Sequence, residues 1–318
     1  MNSARRSGQP PFAFAYRPDL HTLPAAALDY EVKLHGGFAA DPRPGAGHIF
    51  FGMPGYGLLR ISPDLREQQT IVLPDDLRPL NFHSTKIGIF DGQVRLFLPA
   101  EGAGLVAVVS LEGRLDFVLP RPEFEAYADE AAAYRPTDVA LVGQHLYVAD
   151  GYGSNYITRA NVHTRQWTDI FGGKTEDAHE DGKFATAHGL NLTPAGASLA
   201  IADRPSARIQ VHGLDGAFHA SHRLPDGAWP CGIDFISHEG RSLAVVGSLN
   251  DPVEGRPAPI YILDGETYEV LSTIRPKEEL GVERAQHLHN VIWHVHEERL
   301  YLVCQSWNPG GYFVLEAA

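Results

Sequence analysis

Apolar and polar residues alternate along this chain in short runs, each closed by glycine, proline, asparagine or aspartate, which is the pattern of half-buried strands joined by tight turns. The clearest stretch gives four in succession: GLNLTP (189–194), SLAIAD (198–203), RIQVHG (208–213) and FHASHRL (218–224). A helical period is confined to about 122–134. The four-strand unit recurs, and each copy is headed by a similar tetrapeptide: LHGG around His35, FHST around His83, PTDV around Thr137, AHGL around His188, PCGI around Cys231 and LHNV around His289. Successive heads lie 43 to 58 residues apart, a period that predicts six supersecondary units stacked in a ring, an all-β six-bladed β-propeller. The last unit ends after VIWHV (291–295), RLYLV (299–303) and YFVLEA (312–317) without an outer strand. An N-terminal strand is expected to supply it, with ALDYEVKL (27–34) the best alternating run. Closing the ring in this way removes an exposed edge. Residues 1–25 then read as a proline-containing lead-in and 26–318 as a single domain.

Strand direction decides which residues meet. An inner strand starts at one mouth of the central channel, and its antiparallel neighbour ends there. His83, His188 and His289 head alternate units at spacings of 105 and 101 residues, which places them about a third of a turn apart around the channel. Three neutral imidazoles with an open position are the donor set of a catalytic zinc site. His35 heads the first unit and is open to three roles: a further ligand, a group that orients the ligands, or a polar cap on its strand. Residues after the second strands share the same floor: Met53, Glu101, Tyr152, Arg204, Asn250 and Trp307. Tyr152 and Arg204 carry the chemistry; Met53, Glu101, Asn250 and Trp307 are expected to line a substrate pocket.

Composition narrows the partners. A formal net charge of −13 leaves no basic stripe for nucleic acid or an anionic membrane surface. No run approaches the length of a membrane span, and the N-terminal MNSARRSGQPPFAFAYRPD lacks a continuous apolar signal core. Two cysteines, Cys231 and Cys304, build no disulfide framework, so a cytoplasmic location is expected. The expected partner is a small-molecule substrate.

The stretch from Tyr134-Arg-Pro-Thr-Asp-Val-Ala through LYVADGYGSNYI (146–157), DGKFATAHGL (181–190) and IADRPSARIQVHGLDGAF (201–218) resembles peptidyl-α-hydroxyglycine α-amidating lyase and the related NHL-repeat propellers. The resemblance is strongest over 134–218 and stays in register over 34–318. It implies zinc on His83, His188 and His289, a base at Tyr152 in the D-G-Y motif, and a substrate-facing arginine at Arg204 in the A-D-R motif. Two departures stand out. The family's first-blade arginine is replaced at Gly52-Met53, and its aspartate after the third histidine, part of a calcium site, is Asn290 here, a weaker ligand for a hard cation.

The chemistry these residues suit is that of a metal-dependent lyase. A divalent ion on neutral histidines polarises a hydroxyl or carbonyl, Tyr152 moves a proton, and Arg204 neutralises an anionic portion. Two alternatives use the same residues differently. With His35 as a fourth ligand the site would hold Fe2+ or Cu2+ for oxidative chemistry. As a non-catalytic NHL-type binding module the chain would use the mouth for docking alone.

Overall fold

The computed structural model describes residues 5–21, 23, 25, 27–29, 35–129, 131–307 and 310–318. Its first strand, Phe14–Tyr16 (β1), belongs to the last sheet. The first blade follows as Phe38–Ala40 (β2), Ile49–Met53 (β3), Gly57–Ile61 (β4) and Gln68–Ile71 (β5). The second is Lys86–Phe90 (β6), Gln93–Ala100 (β7), Leu105–Val109 (β8) and Leu115–Leu119 (β9), and the third Asp138–Val142 (β10), His145–Ala149 (β11), Tyr156–Asn161 (β12) and Gln166–Gly172 (β13). Ala187–Leu192 (β14), Ser198–Asp203 (β15), Arg208–Gly213 (β16) and Phe218–Arg223 (β17) form the fourth. Pro230–His238 (β18), Arg241–Ser248 (β19), Ile260–Asp264 (β20) and Val270–Ile274 (β21) form the fifth. The sixth contains Leu288–His296 (β22), Arg299–Ser306 (β23) and Tyr312–Ala317 (β24), completed by β1. All the sheets are four-stranded and antiparallel, so the chain is a six-bladed β-propeller.

Alternation along the second strands explains why they read as almost continuous apolar runs. In β15, Leu199 and Ile201 pack towards the third blade while Ala200 and Ala202 pack towards the fifth. In β11, Leu146 and Val148 face the second blade, and Tyr147 and Ala149 the fourth. Each blade thus buries both faces, and one apolar cluster fills every interface between neighbouring blades. Burial on two sides removes the polar face that a half-exposed sheet would keep.

Two expectations change. The closing strand is β1, paired through Phe14↔Ala317 and Tyr16↔Leu315, and not ALDYEVKL, of which residues 30–34 lie outside the described residues. Phe14 is fully buried in the cluster between the fifth and sixth blades, 6.3 Å from the ring of Trp293. Three residues beside a Pro-Pro pair made a weak strand signal, and burial of Phe14 outweighs it. Replacing Phe14 with alanine is expected to cost about 3 kcal/mol by cavity formation, read as a lowered denaturant midpoint at unchanged slope. The second change concerns 122–134, where the described residues contain only the 3-10 turn Glu125–Tyr127. The one short α-helix among them is Pro276–Leu280 (α1), ended by Gly281 at φ 73°.

Candidate metal centre

Registers bring the sites of interest to one mouth. Asp138 pairs with Ala149, Ala187 with Asp203, Pro230 with Ser248 and Leu288 with Ser306. The head residues of the blades therefore sit beside the D-G-Y and A-D-R turns. Glycine lets the inner strands close in: a Cβ on Gly189 would lie 2.5 Å from the carbonyl oxygen of Cys231. That approach brings the same carbonyl to Nδ1 of His188, at 2.5 Å.

The histidines are oriented blade by blade. His83 Nδ1 donates to the carbonyl of Thr137 at 2.8 Å, and His188 Nδ1 donates to that of Cys231. The non-histidine heads of the third and fifth blades thus fix the tautomer of the histidine preceding them, as ligand-orienting groups do. His289 Nδ1 donates to Gln305 Oε1 at 3.3 Å. These bonds leave Nε2 as the bare nitrogen of each ring. His83 Nε2 and His289 Nε2 then face each other at 3.3 Å with no proton left to share. Burial holds His83, His188 and His289 neutral, well below the ordinary histidine pKa. Two buried lone pairs at that separation repel unless a cation lies between them. Two nitrogens bound to one tetrahedral zinc at roughly 2.0–2.1 Å would sit about 3.3–3.4 Å apart. The residues therefore fit a metal ion.

The third donor has two candidates, His188, as the spacing predicts, and His35. The ligand-capable nitrogens of His35, His83 and His289 lie within 4.8 Å of one another. The ring of His188 is slightly farther, 4.6 Å from His83 and 4.9 Å from His289 by centroids against 4.2 and 4.3 Å for His35. Its Nε2 accepts from Arg204 Nη2 and lies 3.2 Å from the hydroxyl of Tyr152. Burial and Arg204 push His35 down to about 4, so it too is a neutral donor. Metal titration separates the two completions: if His35 is the third ligand, His35→Ala weakens zinc binding by at least ~10-fold and His188→Ala leaves it within a factor of three; the reverse ranking restores the alternate-blade set.

Tyr152 and Arg204 stand together. Arg204 Nη1 donates to the Tyr152 hydroxyl at 3.2 Å, and the guanidinium carbon lies 5.7 Å from the ring centre. Burial raises the phenol above its ordinary pKa and Arg204 only partly offsets it, so Tyr152 is a protonated donor to His188 in this arrangement. The turn is rigid. Asp150 takes the Arg135 N–H on Oδ1 at 2.6 Å, and the Ser154 N–H at 2.7 Å and Tyr127 hydroxyl at 2.9 Å on Oδ2. Arg204 is not the partner of Asp203; Arg208 is, donating from Nε to Asp203 Oδ2 at 2.9 Å with both side chains buried.

The expected pocket residues divide. Met53 is fully buried between the first and sixth blades with Phe51 and Tyr312 and does not line the mouth: the alternation of β3 turns Ile49, Phe51 and Met53 to the same neighbour. Glu101 is at the mouth, joined to Arg135 Nε at 2.9 Å and to Asn81 Nδ2 at 3.3 Å. Asn250 is half-buried, its carbonyl accepting from the Trp229 N–H at 3.4 Å. Trp307 is 38% exposed, edge-on to His287. Asn290 Oδ1 accepts the N–H of Phe38 at 3.1 Å, tying the first blade to the sixth and removing one oxygen from any calcium site. Cys231 and Cys304 are free and buried, and among the described residues no helix is long and apolar enough to cross a membrane.

Asn81, Arg135 and Gln305 escaped sequence reasoning. Asn81 and Arg135 each stand two residues before a head residue, as do Trp229 and His287. Counting back two from each head would have found the rim.

No protein-family model and no curated protein matches this chain. Solved structures do. A gluconolactonase from Xanthomonas campestris is 12% identical, with 100% of this chain and 96% of that one covered at a TM-score of 0.62. A chain proposed to be another gluconolactonase is 14% identical over 95% of this chain and 97% of its own, TM-score 0.60. A streptogramin B lyase is 10% identical over 95% and 98%, TM-score 0.54. At such identities the likeness shows the propeller fold.

Proposed function

We propose that the chain is a metal-dependent enzyme of hydrolase or lyase type that breaks a C–O or C–N bond in a small hydroxylated or carbonyl substrate at the histidine mouth. The observation that carries this reading is the pair of buried, bare Nε2 atoms of His83 and His289, 3.3 Å apart beside Tyr152 and Arg204. The neighbours named as a gluconolactonase and a lyase support a bond-breaking reaction. The D-G-Y and A-D-R motifs support the finer version, a lyase related to the amidating enzymes.

His83 and His289 would hold the metal, with His35 or His188 completing the set. When bound, a divalent ion supplies a Lewis acid that polarises a substrate oxygen or lowers the pKa of a hydroxyl. The protein's own groups supply the rest. With His35 completing the set, Tyr152 is placed to exchange a proton with His188 Nε2 across 3.2 Å, and the Nδ1–H of His188 is fixed on the Cys231 carbonyl, so the ring can accept a proton only at Nε2. Arg204, buried and directed at both, steadies negative charge developing on the phenol or on a substrate oxygen.

The test assays glyoxylate release from a model α-hydroxyglycine and ring opening of gluconolactone, with zinc-loaded and chelator-stripped protein. Zinc-dependent turnover of either supports the proposal, and the one preferred sets lyase against hydrolase. Absence of turnover on both, with oxygen uptake by iron-loaded protein, would replace it by the oxidative alternative.

A further inference from the structure

Arg135 lies at the same mouth and has no part in the chemistry above. Its guanidinium carbon is 5.8 Å from the centre of the Tyr152 ring, on a side chain 48% exposed. Nε and Nη2 donate to Glu101 Oε2, while Nη1 has no protein acceptor among the described residues. Glu101 is 12% exposed, and its other oxygen takes Asn81 Nδ2, which lies 3.3 Å from Nδ1 of His35. Arg135 is thus anchored through Glu101 and Asn81 to the histidine cluster while keeping a free edge towards solvent.

Across the channel the rim changes character. In a six-bladed ring the third blade, which carries Arg135, faces the sixth, and the fifth adjoins the sixth. There Trp229, 36% exposed, and Trp307, 38% exposed, stand at the same mouth. Their backbones are joined through Leu249 and His287: Leu249 N–H donates to the Trp229 carbonyl, His287 Nδ1 to the Leu249 carbonyl, and Trp307 N–H to the His287 carbonyl. Exposed tryptophans on a tied rim offer flat apolar contact at low entropic cost.

We infer that Arg135 determines substrate specificity: its free edge takes a carboxylate, and Trp229 and Trp307 opposite take an apolar body, so the substrate class is small hydroxylated or carbonyl-bearing carboxylic acids with a hydrophobic group. This deepens the proposed function and rests on the mouth being its site. A planar guanidinium suits a carboxylate where a lysine would not, because two parallel N–H groups meet two oxygens.

Calorimetry on zinc-loaded protein with three probes tests it: 3-phenyllactate, its uncharged amide, and lactate. The acid is expected to bind at least ~10-fold more tightly than the amide, the difference a charge-assisted pair supplies. Arg135→Gln should remove that preference while leaving amide affinity and zinc content unchanged, and Arg135→Lys should restore only part of it. Trp307→Ala should weaken 3-phenyllactate towards the affinity of lactate. Equal binding of acid and amide by the parent protein, no measurable binding of any probe, or an Arg135→Gln protein that keeps its preference would each overturn the inference. Zinc-dependent turnover is scored separately, so its loss with the preference intact condemns the enzyme reading and leaves Arg135 standing as an anion contact.

Discussion

Protein in which His83 and His289 are both replaced by alanine is expected to fold and to retain no divalent metal through gel filtration, with zinc affinity lowered roughly 10³-fold or more. Losing a group that merely orients a ligand already costs 10–100-fold, and here two donors go at once. These two are singled out because their Nδ1 hydrogens are engaged by Thr137 and Gln305, which leaves Nε2 of each ring nothing but a cation to bind. The paired change also leaves the Thr137 carbonyl and Gln305 Oε1 without their imidazole donors, so a thermal melt of the chelated protein checks that the variant still folds. Mass spectrometry of metal content decides the matter: full zinc occupancy in the variant would end the case for this centre.

The ring was legible because it is periodic. Six head tetrapeptides and the paired runs behind them define the blades, and the meeting of head residues with the ends of the second strands at one mouth follows from the antiparallel registers. The closing strand was not, because Phe14–Tyr16 is too short to show alternation and owes its place to the core it enters. Met53 was misplaced for a related reason: position after a second strand gives nearness to the mouth, but the face a residue presents depends on alternation within that strand. The four histidines were found by phase alone. Which of them share a metal was beyond phase, since it depends on where Nδ1 finds a partner and on Arg204, 16 residues from His188 in the chain, reaching its Nε2. Arg135 and Asn81 were hidden differently: single polar residues before a strand carry no signal until the tertiary fold sets them beside Glu101.

Tyr152→Phe is expected to keep its fold and its metal and to lose 10²–10⁴-fold in turnover, the range typical of a positioned acid or base. The substitution removes one oxygen from a mostly buried ring, so packing against His83 at 4.8 Å between centroids is preserved. What disappears is the donor to His188 Nε2 and the acceptor for Arg204 Nη1. Burial keeps this phenol above its ordinary pKa, which makes it a proton donor at neutral pH unless a cation lowers it further than Arg204 does. The same variant therefore reports on direction. A base lost from the free enzyme removes an ionisation from the acid limb of kcat/KM, whereas a lost acid removes one from the alkaline limb. The structure favours the second, with the parent enzyme losing activity as pH rises through the phenol pKa and the residual activity of Tyr152→Phe showing no such fall. Turnover within threefold of the parent would make Tyr152 a wall of the pocket, and the proton would have to travel by His188 alone.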